Sequence, residues 1–238
     1  MPTQRVGSTP IAIHRFDVIG LDASSEPGFV EHVALAAEER EDHVASEALP
    51  VDHMRPPLER PGECHADCVG SAGLTVDEQL QIGLFSDEVE SEYGAAQVKD
   101  PRRQYVICPH VDPFRSEDQT VIYRRFSCVG FVLEAYREAR IDVLWTDFAA
   151  LPLVGLDALK VQYPRFARRL DNPKVRNEFG LGGDGPWPVI LAGYVLNALA
   201  RPEKEIRATP YLARAGDEFF PPRRPGPSGP GPRSIPWP

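Results

Sequence analysis

Nothing in the chain reads as a membrane span or a secretory leader. The longest apolar run, Pro188 to Ala200 ("PVILAGYVLNALA"), carries Pro, Gly and Asn and falls short of the ~20 residues that cross a bilayer as a helix. The opening "MPTQRVGSTPIAIHRFDVIG" has no apolar core followed by a small-residue cleavage site, the pattern of an exported precursor. A cytoplasmic setting is the expectation. Basic charge is also scarce. The chain has 26 Lys and Arg against 35 Asp and Glu, a formal net charge of -9, which leaves no basic footprint for nucleic acid. Cysteine is sparse, four in 238 residues, too few for a disulfide framework in a chain of this length. The glycine-rich stretch "GLGGDGPWP" lacks the Gly-Lys-Ser/Thr ending of a phosphate loop. It reads as a loop, and no cofactor is implied.

What is present is an ordinary globular composition, 42% apolar. The first half reads as strands. "PIAIHRFDVIGL" and "FVEHVALAA" are short apolar runs, and "HVASEAL" follows the charged connection "EERED" as the second arm of a hairpin. "RPPLERPGECHADCVGSAG" reads as loop. Thr75 and Glu78 form a capping box ahead of a helix over "LTVDEQLQIGLFSDEVESEYG". "RRQYVICPH" and "VIYRRF" read as strands joined by the polar link "VDPFRSEDQT". Short helices are expected over "WTDFAALPLVGLDALKVQYPRFARRL", and a buried helix over "VILAGYVLNALA" that stops at Pro202. The end, "PPRRPGPSGPGPRSIPWP", offers almost no apolar area to bury and reads as disordered. The expected class is α+β, an antiparallel sheet packed on a helix. Its divisions are a main domain over 1–165, a helical extension over 166–218 and a tail over 219–238.

The stretch with the most chemistry is "RRFSCVGFVLEAYREARIDVL", Arg124 to Leu144. Val129, Val132, Leu133 and Tyr136 fall on one helical face, and Ser127 stands where an N-cap belongs. Cys128 therefore lies in the first turn, where unpaired backbone N–H groups and the helix dipole favour a thiolate. A thiol nucleophile needs a base, and the base needs a polar group to orient it. His32, in "VEHVALAAEE", heads a short apolar strand and shares a face with the small residues Ala34 and Ala36. Glu47, in "ASEALPVD", offers a carboxylate to fix the imidazole tautomer, and His43 is its rival. Periodicity does not choose between them.

The order "HVALAA…VASEALPVDHMRPPL" and then "YRRFSCVGFVLEAYREARIDVL" resembles the circularly permuted branch of the NlpC-type papain-like fold. The YiiX-like hydrolases are the nearer likeness and lecithin retinol acyltransferase a more distant one. The family's pattern, Cys-Ser-Glu-Leu-Val or Cys-Ser-Gly-Phe-Val, appears here as Cys128-Val129-Gly130-Phe131-Val132. Two positions depart from it: Val129 stands where the family has a small Ser, and Arg140 where it has Gly before Ile141. The resemblance covers about residues 10–150. It implies Cys128 as nucleophile, His32 as base and Glu47 as the third polar residue. The implied activity is hydrolysis or transfer at an amide or ester of a small molecule, peptide or lipid.

Other clusters compete for attention. Cys64, His65 and Cys68 in "ECHADC", with Cys108 and His110 in "ICPH", are zinc-type ligands. They define the alternative reading, a non-catalytic binding domain of the same fold with a structural metal. Arg124 and Arg125 flank the thiol and suit a substrate carboxylate or phosphate. The tail's prolines suit a polyproline-binding groove.

Overall fold

The computed structural model describes residues 3–223. Its strands are short because turn formers and charged pairs interrupt the apolar runs every few residues. In chain order they begin β1 (Gln4–Arg5), β2 (Ile11–Ile13), β3 (Val18–Asp22), β4 (Val30–Ala36), β5 (Arg40–His43), β6 (Ala48–Met54), β7 (Leu58–His65) and β8 (Cys68–Gly70). Helix α1 (Val76–Ala95) follows. A hairpin of β9 (Val111–Arg115) and β10 (Val121–Phe126) then leads into α2 (Cys128–Glu138). The remainder comprises β11 (Leu153–Val154), α3 (Leu156–Gln162), α4 (Pro173–Glu178), β12 (Trp187–Pro188), α5 (Ala192–Leu199) and α6 (Glu203–Ala208).

Six strands form one antiparallel sheet in the order β1-β8-β3-β4-β6-β7. The α+β class is as expected. One face carries the main core, where Val33, Leu35 and Met54 share a cluster with Phe131 and Tyr136 of α2 and Leu196 of α5. The other face carries a smaller core of Ile19, Ala34, Ala36, Val51 and Cys64, beside the β2–β5 pair.

Both expected caps are present. Thr75 and Glu78 close a reciprocal capping box, and Ser127 Oγ accepts from the Gly130 N–H at 2.9 Å. Just past the end of α2 stands Arg140, whose φ of 61° lies in the left-handed region. Glycine adopts that conformation without strain, which explains why a glycine suits the position. Helix α5 is buried along its whole length, so the expected C-terminal extension is part of the core. Asn197 Nδ2 donates to the Asp217 and Phe219 carbonyls at 2.8 Å each. Phe219 and Phe220 are buried as well, so packed structure runs past the expected boundary at residue 218. The rest of the expected tail, 224–238, lies outside the described residues.

Three local readings differ from the structure. "EERED" is a strand in part, β5, and the residues around Glu47 form the turn after it. The expected loop over 55–73 contains β7 and β8. Strand β7 lies at the sheet edge and leaves Pro61, Glu63 and His65 exposed, and an edge strand tolerates Pro and charge because only one side of its ladder is used. "RRQYVICPH" is irregular: the Ile107 and Cys108 N–H groups both donate to the Phe179 carbonyl, at 3.0 and 3.1 Å. Among the described residues, no helix is long and apolar enough to cross a membrane.

Candidate active site

Helix α2 points its first turn at strand β4. Cys128 and His32 line one cavity of about 50 Å³, together with Met54, Tyr105, Tyr163 and other residues. By strict alternation His32 would follow Ala34 and Ala36 onto the smaller-core face. The register is regular from Ala34 to His32, and a bulge begins immediately beyond: Leu21 pairs with His32 but Asp22 pairs with Val30, leaving Glu31 as the extra residue next to His32. A bulge bends its strand and re-aims the neighbouring side chains. A second register shift, between Val51 and His53, adjoins the residue that meets the His32 ring.

That residue is His53. His32 Nε2 lies 2.9 Å from His53 Nδ1, and His53 Nε2 lies 2.9 Å from Glu59 Oε2. Hydrogen-bond chemistry orders this line. A carboxylate only accepts, so His53 donates from Nε2 and, when neutral, accepts at Nδ1. His32 must then donate from Nε2, which leaves its Nδ1 as the basic nitrogen. Gly62 makes room for the line, because a Cβ there would sit 2.7 Å from His53 Nε2. His53 is fully buried, whereas the Glu59 side chain is 43% exposed.

Of the three site residues expected from sequence, Cys128 and His32 come together at the cavity and Glu47 does not. Glu47 is exposed in the turn before β6, and the place beside the His32 ring belongs to His53. His43 lies on β5, paired with Ile11 in the small second sheet. A signal for His53 was present in the sequence: it stands near the end of "ALPVDHM", the run that forms β6, and a histidine inside such a run needs a polar partner once buried. Nothing in the sequence shows that the polar end of that run, rather than its beginning, supplies the residue at the His32 ring.

The electrostatics also differ from the sequence expectation of a depressed thiol. Burial pushes the Cys128 thiol up, and hydrogen bonds from the Val33 N–H and the Tyr105 hydroxyl only oppose that shift. Burial holds His32 well below its ordinary value, reinforced by His53, Arg55 and Arg165. His53 is lowered by burial too, against the pull of Glu59. The resting arrangement is therefore a neutral thiol and a neutral imidazole lining one cavity. The Cys128 N–H donates to the Tyr105 hydroxyl oxygen at 3.3 Å, and the buried Tyr163 hydroxyl makes no hydrogen bond of normal geometry.

The remaining candidates do not line the Cys128 cavity. Among the described residues, no group of three or more His, Cys, Asp or Glu is arranged to hold a metal. Cys64 and His65 are consecutive on β7 and point to opposite faces, with Cys64 buried and His65 exposed; burial pushes the Cys64 thiol up to about 12. Cys68 packs in the main core instead. Arg124 pairs with Glu92 at 2.7 Å and Glu88 at 3.2 Å. Arg125 donates to the Tyr105 and Glu178 carbonyls. Both arginines brace the hairpin.

His110 sits behind α2, where its carbonyl accepts from the Ser127 N–H at 3.0 Å. Burial and the nearby Arg137 lower its pKa to about 4, with the Glu134 carboxylate 4.0 Å from Nε2. Unfolded histidine takes a proton near pH 6.5, while this folded one stays neutral down to about pH 4. The stability it contributes is complete above pH 6.5 and falls as pH drops toward 4, by about 3 kcal/mol. The lowered pKa values of His32, His43 and His53 act in the same direction. Denaturant midpoints measured from pH 7 to pH 4.5 should fall less steeply in His110→Gln than in the wild type.

No family model matches the chain, and no curated protein or solved structure matches it.

Proposed function

We propose that the protein is a thiol-dependent acyl-transfer enzyme acting on an amide or ester, of the permuted papain-like kind that its motif order resembles. The observation that carries this reading is the line Glu59–His53–His32, which ends at the cavity lined by Cys128. His32 Nδ1 takes the Cys128 proton as the sulfur attacks the carbonyl carbon. The proton then passes to the leaving amine or alcohol, and an acyl-thioester remains. Water, deprotonated by His32, releases the acid; another acceptor makes the reaction a transfer. The Tyr105 hydroxyl, which accepts the Cys128 N–H and donates to the resting thiol, turns its O–H to the developing oxyanion once the sulfur is bonded to the carbonyl carbon. The buried Tyr163 hydroxyl, next to Tyr105, offers a second donor there, and such donors are most effective where water is excluded. We place the enzyme in the cytoplasm, in keeping with its four free cysteines.

The second reading, a non-catalytic binding domain, draws on the raised thiol. Alkylation separates the two. Iodoacetamide should modify Cys128 faster than buried Cys64 and Cys68 at neutral pH, and the rate should still be rising above pH 8.5 because burial raises the thiol. His32→Ala should slow Cys128 by about 100-fold or more near pH 7. A Cys128 no faster than Cys64 and Cys68, and indifferent to His32, would favour the binding domain.

A further inference from the structure

The cavity at Cys128 has charge on its rim as well as apolar walls. Leu21, Met54, Pro56 and Phe166 line its sides, and Arg55 and Arg165 stand at its mouth. Arg55, at the end of β6, is half-buried; Arg165, in the turn after α3, is exposed. Most other arginines near the site are committed. Arg124 and Arg125 have carboxylate partners, and Arg60 engages Asp52, Asp87 and Glu90. Arg55 and Arg165 make no hydrogen bond or ion pair among the described residues.

The carboxylate lining the same cavity is Glu31. It lies beyond ion-pair distance of both guanidiniums; burial works against its ionisation, and the more distant attraction of Arg55 and Arg165 only partly offsets that. Glu59 is turned away, bonded to His53. Two cations against one half-buried carboxylate leave the mouth locally positive on a chain whose net charge is -9. Partial burial of an unpaired guanidinium is costly unless something completes it. A planar guanidinium fork matches a carboxylate better than any other common substrate group.

We propose that Arg55 and Arg165 form an anion subsite at the mouth of the Cys128 cavity, so that the substrate is an amide or ester carrying a carboxylate close to its scissile carbonyl. This rests on the acyl-transfer reading above. The closeness follows from size: in so small a cavity, an anion touching the guanidiniums lies only a few bonds from a carbonyl at the sulfur. Arg168 and Arg169, exposed on the same segment, extend the positive field outward and would draw an anion toward the mouth.

Two alkylating reagents of equal size test it, since iodoacetate and iodoacetamide differ in one carboxylate. Both form the same carbon–sulfur bond and release iodide, so their rate ratio cancels effects on the thiolate population. The ratio of iodoacetate to iodoacetamide at Cys128, read by mass mapping, should exceed that for glutathione by about tenfold. It should fall toward the glutathione value in Arg55→Gln and Arg165→Gln, be retained in Arg165→Lys, and weaken with added salt. A ratio matching glutathione, or one unmoved by both glutamine variants, overturns the anion subsite while leaving Cys128 a nucleophile. A Cys128 inert to both reagents overturns the acyl-transfer reading, and the subsite with it.

Discussion

His53→Ala is expected to slow reaction at Cys128 by about 100-fold, toward the rate of His32→Ala, while Glu47→Ala leaves it unchanged. His53 Nδ1 is the acceptor that fixes His32 Nε2 at 2.9 Å. Without it the His32 ring is free to rotate, and its proton can sit on the nitrogen that must stay basic. Restoring an acceptor should restore rate, so His53→Asn should recover part of the loss as its amide oxygen takes the His32 N–H. A merely structural histidine would show no such rescue. Glu47 serves as the control because it is exposed in a turn. The readout is iodoacetamide alkylation of Cys128 across pH 6 to 9, with circular dichroism to confirm folding. Equal losses in the His53 and Glu47 variants, or none in either, would remove His53 from its positioning role.

Gly130→Ala is expected to be the most damaging single methyl group near the site. A Cβ at Gly130 would overlap the His110 carbonyl oxygen and stand 2.7 Å from its carbon, both backbone atoms. Neither can swing aside as a side chain can, and the same carbonyl accepts the Ser127 N–H that starts α2. The helix must move away from the 110 segment, carrying Cys128 with it. We expect a loss of about 3 kcal/mol or more, which in a chain of this size lowers Tm by roughly 6–12 °C. Gly94→Ala is the matching control, a glycine within α1 whose added Cβ meets nothing within 4 Å. It should be neutral or slightly stabilising, because alanine has the better helix propensity. If Gly130→Ala melts with the wild type, the close approach of the two segments is not as described.

The helix that carries the thiol was legible in the sequence because its signals are local. Ser127, Cys128 and the three-and-four spacing of Val129, Val132, Leu133 and Tyr136 lie within a few residues of one another. Capping and amphipathicity act over that range. The box of Thr75 and Glu78 was readable for the same reason, and so was the strand bearing His32. The partner of His32 was not legible. Which residue meets the ring depends on the register between β4 and β6 and on the bulge at Glu31. A shift of a single residue exchanges the faces of every side chain on a strand, and that choice is made by packing against α2 and α5. Strand β7 was hidden because an edge strand can carry proline and charge. The sign of the thiol's shift was hidden as well: helix position and a basic partner both argued for a lowered value, but only the folded structure shows how deeply Cys128 is buried, and burial outweighs them. By itself, the sequence determined the α+β class, the caps, the thiol at a helix start and a histidine on a strand. The tertiary structure decided which polar residue holds that histidine and the resting charge state of the pair, because both depend on contacts between elements far apart in the chain.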